Sequence, residues 1–241
     1  MQPTEKRRKM VISRNFWRKI LSGSPGTSAV VLVALIVSGC ATKSVDQNFA
    51  FTPGTETGLI VGSASSSDEN SAYDATVSFR YSPARMNDAL DFKNSGHIEA
   101  LSPSLWFGRG GPSDFKDVAG KLFAIALKPG NYSFTSWEIN NGSNAIIYPI
   151  DPKPLAFTVR KGKATYIGNM HMYLRTGRNF FGITIIADGR PSITDKSERD
   201  IPLLLKRFPK IAREDIEIHV LDDRPWGGNG PPKDIQAQLQ D

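Results

Sequence analysis

Residues 73–81 read Tyr73-Asp74-Ala75-Thr76-Val77-Ser78-Phe79-Arg80-Tyr81. Apolar side chains alternate with polar ones, and this period of two places the apolar set on the buried face of a β-strand. Further strands are predicted at Gly58–Gly62, 123–127, 132–134, 155–159, 165–174, 181–185 and 216–220. Proline and glycine turns separate most of them. The chain is therefore predicted to be mainly β, with about seven to eight strands packed as a sandwich.

One short helix is predicted near residues 200–208, close to the C-terminal end of the domain. Four apolar residues form a stripe with helical spacing: Ile201, Leu204, Leu205 and Phe208. Asp200 is expected to cap this helix and Pro209 to end it. A short turn is expected at 213–215. Loops are predicted at Ser63–Asn70 and Asn94–His97, where no periodicity is evident.

An apolar run follows a basic segment at the start of the chain. Ala29–Val37 is unbroken, and nine helical residues are far shorter than the ~30 Å hydrocarbon core of a bilayer. The run ends in Ser38-Gly39-Cys40, which holds the only cysteine of the 241 residues. This pattern predicts a cleaved targeting segment at 1–39 rather than a membrane-spanning helix. The alternatives for Cys40 are a buried free thiol and a thiol following an ordinary secretory signal.

Val37-Ser38-Gly39-Cys40 resembles the lipobox of bacterial lipoproteins. The resemblance implies cleavage between Gly39 and Cys40, followed by attachment of a diacylglyceryl group and an N-acyl chain such as palmitate to Cys40. The bilayer is then a partner of the protein, because two or more acyl chains anchor stably. Ala41 and Thr42 follow, and the lack of an aspartate there implies the outer membrane, with the domain facing the periplasm. Translation could start at Met1 or at Met10.

The formal charge of +6 comes from the leader, which contains seven basic residues and one acidic residue. The remaining chain has 23 basic and 23 acidic residues and is neutral. A basic surface for nucleic acid is therefore not expected. The single cysteine excludes an internal disulfide, so packing and backbone hydrogen bonds must stabilise the domain.

The composition predicts three segments after the leader. Residues 40–57 are polar and are predicted to form a lipidated tether, 58–221 form the sandwich domain, and 222–241 form a flexible tail rich in glycine and proline. Trp226 is exceptional within that tail. A large aromatic side chain in such a segment packs either onto a partner or onto the protein's own sandwich.

The turn at Lys128-Pro129-Gly130-Asn131 has the order of a type II turn. The stretch Leu127-Lys128-Pro129-Gly130-Asn131-Tyr132 resembles the hairpin of prealbumin-like and carboxypeptidase-regulatory-like sandwiches. The segment from Phe157 to Tyr166 is similar to the strands that follow in those domains. The resemblance implies an immunoglobulin- or prealbumin-like fold. Because such modules are typically non-catalytic, it implies no active site.

Few residues of the sequence suggest a metal-binding, phosphate-binding or catalytic role. Met170-His171-Met172 could hold a soft metal such as Cu(I), but in a strand His171 faces away from the two methionines, which favours a core role. The histidines His97, His171 and His219 show no zinc-binding spacing. Gly108-Arg109-Gly110-Gly111 lacks the lysine and hydroxyl of a phosphate-binding loop. Trp106 and Arg109 are candidate contact residues, and no cofactor is expected.

Two functional hypotheses follow. The first is a non-catalytic envelope lipoprotein that binds or scaffolds another envelope protein, a glycan or a lipid. The second is a hydrolase of envelope polymers, with loops around His97 or Arg109 as its site. A histidine in hydrogen-bond contact with a carboxylate inside a deep cleft would favour the enzyme, and an apolar patch near Trp226 would favour the binding module. A copper-binding protein is a third possibility.

Overall fold

The computed structural model describes residues 44–66, 75–85, 94–101, 113–140 and 146–226. Cys40, Gly39, Trp106 and Arg109 lie outside these ranges. The contact pattern divides the chain into two units, Met1–Gly39 and Cys40–Asp241. In the second unit two five-stranded sheets and one α-helix form a β-sandwich. The predicted fold class is confirmed.

Ten strands make up the two sheets in the described part of the chain. They are β1 (Gly58–Ser66), β2 (Thr76–Pro83), β3 (Gly96–Leu101), β4 (Ala119–Leu127), β5 (Gly130–Asn140), β6 (Ile146–Ile147), β7 (Leu155–Val159), β8 (Ala164–Arg178), β9 (Thr184–Thr194) and β10 (Ile216–Ile218). The helix α1 spans Ser197–Arg207, and single 3-10 turns lie at Arg213–Asp215 and Arg224–Trp226.

Sheet A is built around β1, which pairs antiparallel with β4 and parallel with β8. The other edge of β8 is shared: its first residues pair with β10, and the rest of the strand pairs with β9. Sheet B has the order β3-β2-β5, and the far edge of β5 is shared by β6 and β7. In each sheet, one long strand thus pairs along a single edge with two shorter strands.

Two apolar clusters hold the domain together. The first fills the space between the sheets and includes Phe79, Phe123, Phe134 and Met170, all of which are buried. The second covers the outer face of sheet A, where α1 places Leu204 and Phe208 against β1, β4 and β8. Sheet A is therefore covered on both faces, which explains why every described residue of β1 is buried.

The Pro129-Gly130 turn does not close a hairpin. Strand β4 pairs with β1 in sheet A, whereas β5 pairs with β2 and β7 in sheet B, so the turn carries the chain from one sheet to the other. The predicted type II turn is also wrong, because Gly130 has a φ of 157°, far from the value of about +80° that such a turn requires, and the chain runs extended into β5. The predicted hairpin is wrong, although the two strands are present. The Lys161-Gly162 turn also crosses between sheets.

Three local predictions need correction. Residues 63–66, predicted as loop, continue β1, because small buried serines hide the alternation there. Residues 96–101 form β3, so His97 lies in a strand and not in a loop. Phe181 and Ile183 lie in a turn rather than a strand, since β9 begins at Thr184 and buries Ile186 instead. The prediction placed the odd-numbered residues of this strand on its buried face. Because β9 buries Ile186 instead, the two faces of the strand are exchanged.

Helix α1 begins at Ser197, three residues before the predicted cap. Asp200 is therefore inside the first turn, and its side chain turns towards sheet A. The hydroxyl of Ser197 and, at 2.8 Å, its backbone nitrogen donate hydrogen bonds to the carboxylate of Asp195, and these hydrogen bonds lower the pKa of Asp195. The predicted end is confirmed, because the last helical residue, Arg207, precedes Pro209 by two positions.

Parts of the predicted tether and tail belong to the folded domain. The backbone nitrogen of Val45 donates to the carbonyl oxygen of Ala124 at 2.7 Å, and Phe51 is buried in the cluster under α1. Residues 44–57 therefore pack on sheet A because they carry apolar anchors. Trp226 is buried between the sheets. The tail prediction is thus wrong for residues 222–226, while 227–241 lie outside the described residues.

Candidate functional site

A buried polar network lies between sheet A and α1, and Asp200 is at its centre. Oδ2 of Asp200 accepts hydrogen bonds from the hydroxyls of Ser63 at 2.6 Å and Tyr166 at 2.9 Å. Its Oδ1 accepts from Nε of Arg199 at 2.8 Å. Burial and the neighbouring carboxylate raise the pKa of Tyr166 above its ordinary value. The network provides hydrogen-bond donors for a fully buried carboxylate, and it joins β1, β8 and α1.

The network continues along β1 and β8 to a serine–histidine contact. Asn169 donates to Ser63 at 2.7 Å and to Ser65 at 3.1 Å. The hydroxyl of Ser65 lies 2.8 Å from Nδ1 of His171. Burial lowers the pKa of His171 to about 4, and the positive charges of Arg199 and Lys196 add to this effect. His171 is therefore neutral near pH 7.

Serine, histidine and aspartate thus lie in one network, but their order is not that of a catalytic triad. In a triad the carboxylate orients the histidine, whereas here Asp200 contacts Ser63, Tyr166 and Arg199. Ser65 is only 1% exposed, so an approaching carbonyl group has no path to its hydroxyl. The arrangement fixes α1 on sheet A and leaves the Ser65 hydroxyl unable to attack a substrate.

A second group of polar side chains is open to solvent on the outer face of sheet B. It lines a cavity of about 280 Å³ formed by Thr76, Ser78, Arg80, His97, Glu99, Glu138 and Asn140. Nε2 of His97 lies 2.9 Å from a carboxylate oxygen of Glu99, and Arg80 pairs with Glu138 at 2.6 Å. A histidine and a carboxylate are therefore in contact at a surface that a ligand can reach.

Strand register explains how this cavity is built. Ser78 in β2 lies opposite Glu99 of β3 on one side and Glu138 of β5 on the other. The next outward position of β2, Arg80, lies opposite His97. Neighbouring strands are about 4.8 Å apart, so the two glutamates arise from backbones roughly 10 Å apart. The surface can offer hydrogen-bond acceptors and donors to a hydrophilic ligand.

The remaining sequence candidates do not meet at one place. Met170 and Met172 lie in the core between the sheets, whereas His171 faces α1, as the alternation predicted. The described ranges contain no cluster of three or more histidine, cysteine or acidic side chains able to hold a metal ion. His219 lines a separate open cavity of about 290 Å³ beside Glu217 and Arg160.

Trp226 packs on its own sandwich, which is the second of the two alternatives considered for it. Its ring stacks on Phe79 with centroids 6.4 Å apart, and its Nε1 donates to the carbonyl oxygen of Lys153 at 2.7 Å. Trp226 therefore closes the core and presents no patch to a partner. Trp106, Arg109 and Cys40 lie outside the described residues.

Sequence reasoning did not find the residues that join Asp200 to the sheet. A signal was present in the spacing: Ser63 and Ser65 are two apart in β1, and Asn169 and His171 are two apart in β8. Polar residues with period two inside strands that are otherwise apolar indicate a shared buried face. Their partners, however, are more than 100 positions away in the chain.

No known protein family matches this sequence, and no curated protein is detectably similar to it. Across the part of the chain that the structure describes, no helix combines the length and the apolar character needed to cross a bilayer. What the protein does must therefore be inferred from its own residues.

Proposed function

We propose that this protein is a bacterial lipoprotein, anchored through acylated Cys40 in the outer membrane and facing the periplasm. Its β-sandwich acts as a non-catalytic binding or scaffolding module. The observation that carries the proposal is the end of the apolar leader run in Val37-Ser38-Gly39-Cys40. The pattern matches the requirements of lipid attachment, since small residues precede the only thiol of the chain.

The start of the folded domain supports the same proposal. The hydroxyl of Ser44 accepts a hydrogen bond from the backbone nitrogen of Ala124 at 3.1 Å, so the chain is bound to β4 four residues after Cys40. Four extended residues span at most about 14 Å. A lipid on Cys40 would thus hold the sandwich close to the bilayer surface, and the domain would work within a short distance of the membrane.

The anchor is tested by Cys40→Ala and by metabolic labelling with palmitate. We expect the label to be lost entirely, because the chain has no second cysteine, and we expect the protein to stay unprocessed. Ser38→Ala keeps a small residue before the cysteine and is the matched control, which should retain the label. Labelling that is unchanged in Cys40→Ala, or a native product with the leader attached and Cys40 unmodified, contradicts the proposal.

The outer face of sheet B is the surface that we propose for binding. Arg80, His97, Glu99 and Glu138 offer both charges and several hydrogen-bonding atoms around one open cavity. A photo-crosslinking residue placed at Thr76 in cells should give an adduct with an envelope protein or glycan. The same residue at Lys210, which is exposed near the end of α1, is the control and should give none. Equal crosslinking at both positions argues against a binding face on sheet B.

Hydrolysis of envelope polymers is a second candidate, and the His97–Glu99 contact is the observation that favours it. Glu138 lies on the other side of Ser78, so two carboxylates flank the same cavity. The test is incubation of the purified protein with cell-wall polymer and measurement of released soluble fragments. Release that is lost in both Glu99→Gln and Glu138→Gln would establish the enzyme. Absence of release by the parent protein supports the binding module.

A further inference from the structure

Strands β8 and β9 continue beyond sheet A as a two-stranded ribbon. The last pair between β1 and β8 is Ser66 with Met172. From Tyr173 to Arg178, within the described residues, β8 pairs with β9 alone. Six residues of strand extend about 20 Å. Ile186, which pairs with Thr176 in the outer half of this ribbon, is buried, whereas Arg175, Thr176, Arg178 and Ala187 are exposed.

The tip of the ribbon, residues 179–183, exposes three large apolar side chains. Phe180 is 97% exposed, Phe181 81% and Ile183 60%. The turn beneath them is well defined, because Oδ1 of Asn179 accepts hydrogen bonds from the backbone nitrogens of Phe181 and Ile183, both at 3.0 Å. Gly182 supplies the positive φ of 73° that the turn requires. The apolar exposure is therefore a property of an ordered turn.

The ribbon below the tip is positively charged. It carries Arg175, Arg178 and Arg190 against one acidic residue, Asp188, which gives a net charge of +2. Arg175 and Asp188 form an ion pair at 2.9 Å across the two strands. The chain after residue 39 is neutral as a whole, so this excess of arginine is a local feature. An apolar end with cations behind it is complementary to a bilayer with anionic headgroups.

We propose that this tip, Asn179–Ile183, inserts into the interfacial region of an anionic phospholipid bilayer and forms a second membrane contact of the domain. Phe180, Phe181 and Ile183 would enter the boundary between headgroups and acyl chains, while the arginines would meet lipid phosphates. The proposal rests on the lipid anchor proposed above, which holds the domain within reach of the membrane. A convex tip needs no preformed groove when it enters a fluid bilayer.

The two contacts lie far apart along sheet A. Ser44 binds β4 at Ala124, which is in register with Val61 and, through it, with Tyr166 of β8. Arg178 lies twelve positions further along β8, about 40 Å at roughly 3.3 Å per residue. A bilayer that contacts both the segment before Ser44 and the tip would run along the long axis of β8. The domain would then lie on the membrane with a fixed orientation.

The test uses a tryptophan reporter in the full chain, with Cys40→Ala to remove the acyl group. Phe181→Trp places the reporter at the tip, where 81% exposure leaves room for the larger ring. Ile218→Trp is the matched control, because Ile218 is apolar and 48% exposed but pairs with Tyr166 at the other end of β8. Each spectrum is corrected by subtracting that of the Cys40→Ala parent, which contains the four native tryptophans.

Vesicles contain equal parts of phosphatidylethanolamine and phosphatidylglycerol, with brominated acyl chains as quenchers. We expect a blue shift and about a twofold loss of emission for the reporter at 181, as for an aromatic ring at the acyl boundary, and no change at 218. Phosphatidylcholine vesicles should give a smaller effect, because their surface has no net negative charge to attract the arginines.

Emission at 181 that stays water-like with anionic vesicles overturns the proposal. Shielding of that reporter by delipidated envelope proteins, without quenching by lipid, would assign the tip to a protein groove instead. Equal quenching at 181 and 218 would also overturn it, since the leader alone would then account for the association. The measurement does not depend on palmitate labelling of Cys40, so a failure of the anchor and a failure of the tip are distinguishable.

Discussion

The hydroxyl of Tyr166 donates a hydrogen bond to Oδ2 of Asp200 across 2.9 Å, joining the start of β8 to the first turn of α1. The same hydroxyl accepts a hydrogen bond from the backbone nitrogen of Lys196 at 3.2 Å, just before the helix begins. One side chain of the sheet thus determines where the helix starts and holds its buried carboxylate. This contact explains why a helix without a side-chain cap of its own is stable in this position.

Asp200→Ala should lower the free energy of unfolding by about 3 kcal/mol, because it leaves Arg199 and two buried hydroxyls without their shared acceptor. Urea denaturation measures the change. Asp188→Ala is the control, since Asp188 belongs to an exposed ion pair and should cost less than about 1 kcal/mol. If Asp200→Ala lowers the free energy of unfolding by no more than Asp188→Ala is expected to, the network contributes little to stability.

Acidification should weaken the fold between pH 6.5 and about 4. The pKa of His171 is about 4 in the folded protein, so the unfolded chain takes up a proton first as the pH falls. Stability from this residue is present above pH 6.5 and declines by about 3 kcal/mol down to pH 4. His171→Gln should flatten this part of the pH profile, and an unchanged slope in this variant would contradict the prediction. Proton NMR titration of His171 provides a direct check.

Gly162→Ala should be far more destabilising than Gly182→Ala, although both glycines have a positive φ. A Cβ on Gly162 would lie 2.2 Å from the carbonyl oxygen of Pro53, whereas a Cβ on Gly182 would meet nothing within 4 Å. We expect about 1 kcal/mol for Gly182→Ala from backbone conformation alone, and at least about 3 kcal/mol for Gly162→Ala. Similar thermal midpoints for the two variants would contradict the close approach of residue 53.

Trp226→Ala should cost about 3–5 kcal/mol, as expected when a large core side chain is removed. Trp226→Phe keeps the stacking on Phe79 but loses the hydrogen bond to Lys153, and should cost about 1 kcal/mol. Chemical denaturation would measure the free energy of unfolding of both variants. If neither substitution lowers it, the segment after Leu221 is not part of the folded core.

The strands were predictable wherever one face is apolar and the other polar. Phe79 and Tyr81 in β2 and Leu155 and Phe157 in β7 alternate clearly, because each of these strands has one face in the core and one in solvent. The helix stripe at Ile201 and Leu204 was predictable for the corresponding reason. These signals are local, and a single segment of chain contains all the information that they need.

The polar network and the path between sheets were not predictable in this way. Ser63 meets Asp200, 137 positions away, and nothing near either residue indicates the other. Strands β4 and β5 follow each other closely, yet sheet membership depends on partners elsewhere in the chain. The turn at Phe180–Ile183 misled the prediction because exposed apolar residues imitate the pattern of a buried strand.

The parallel pairing of β1 with β8 has a consequence for how the chain reaches its native state. Strand β1 ends at Ser66, whereas the strands on its two sides begin at Ala119 and Ala164. A chain that emerges amino end first cannot complete sheet A until β8 has appeared, and contacts of such long sequence separation form slowly, on the order of milliseconds to seconds. This delay would leave one edge of β1 unpaired while the rest of the chain is being made, and an unpaired strand edge is open to pairing with other chains.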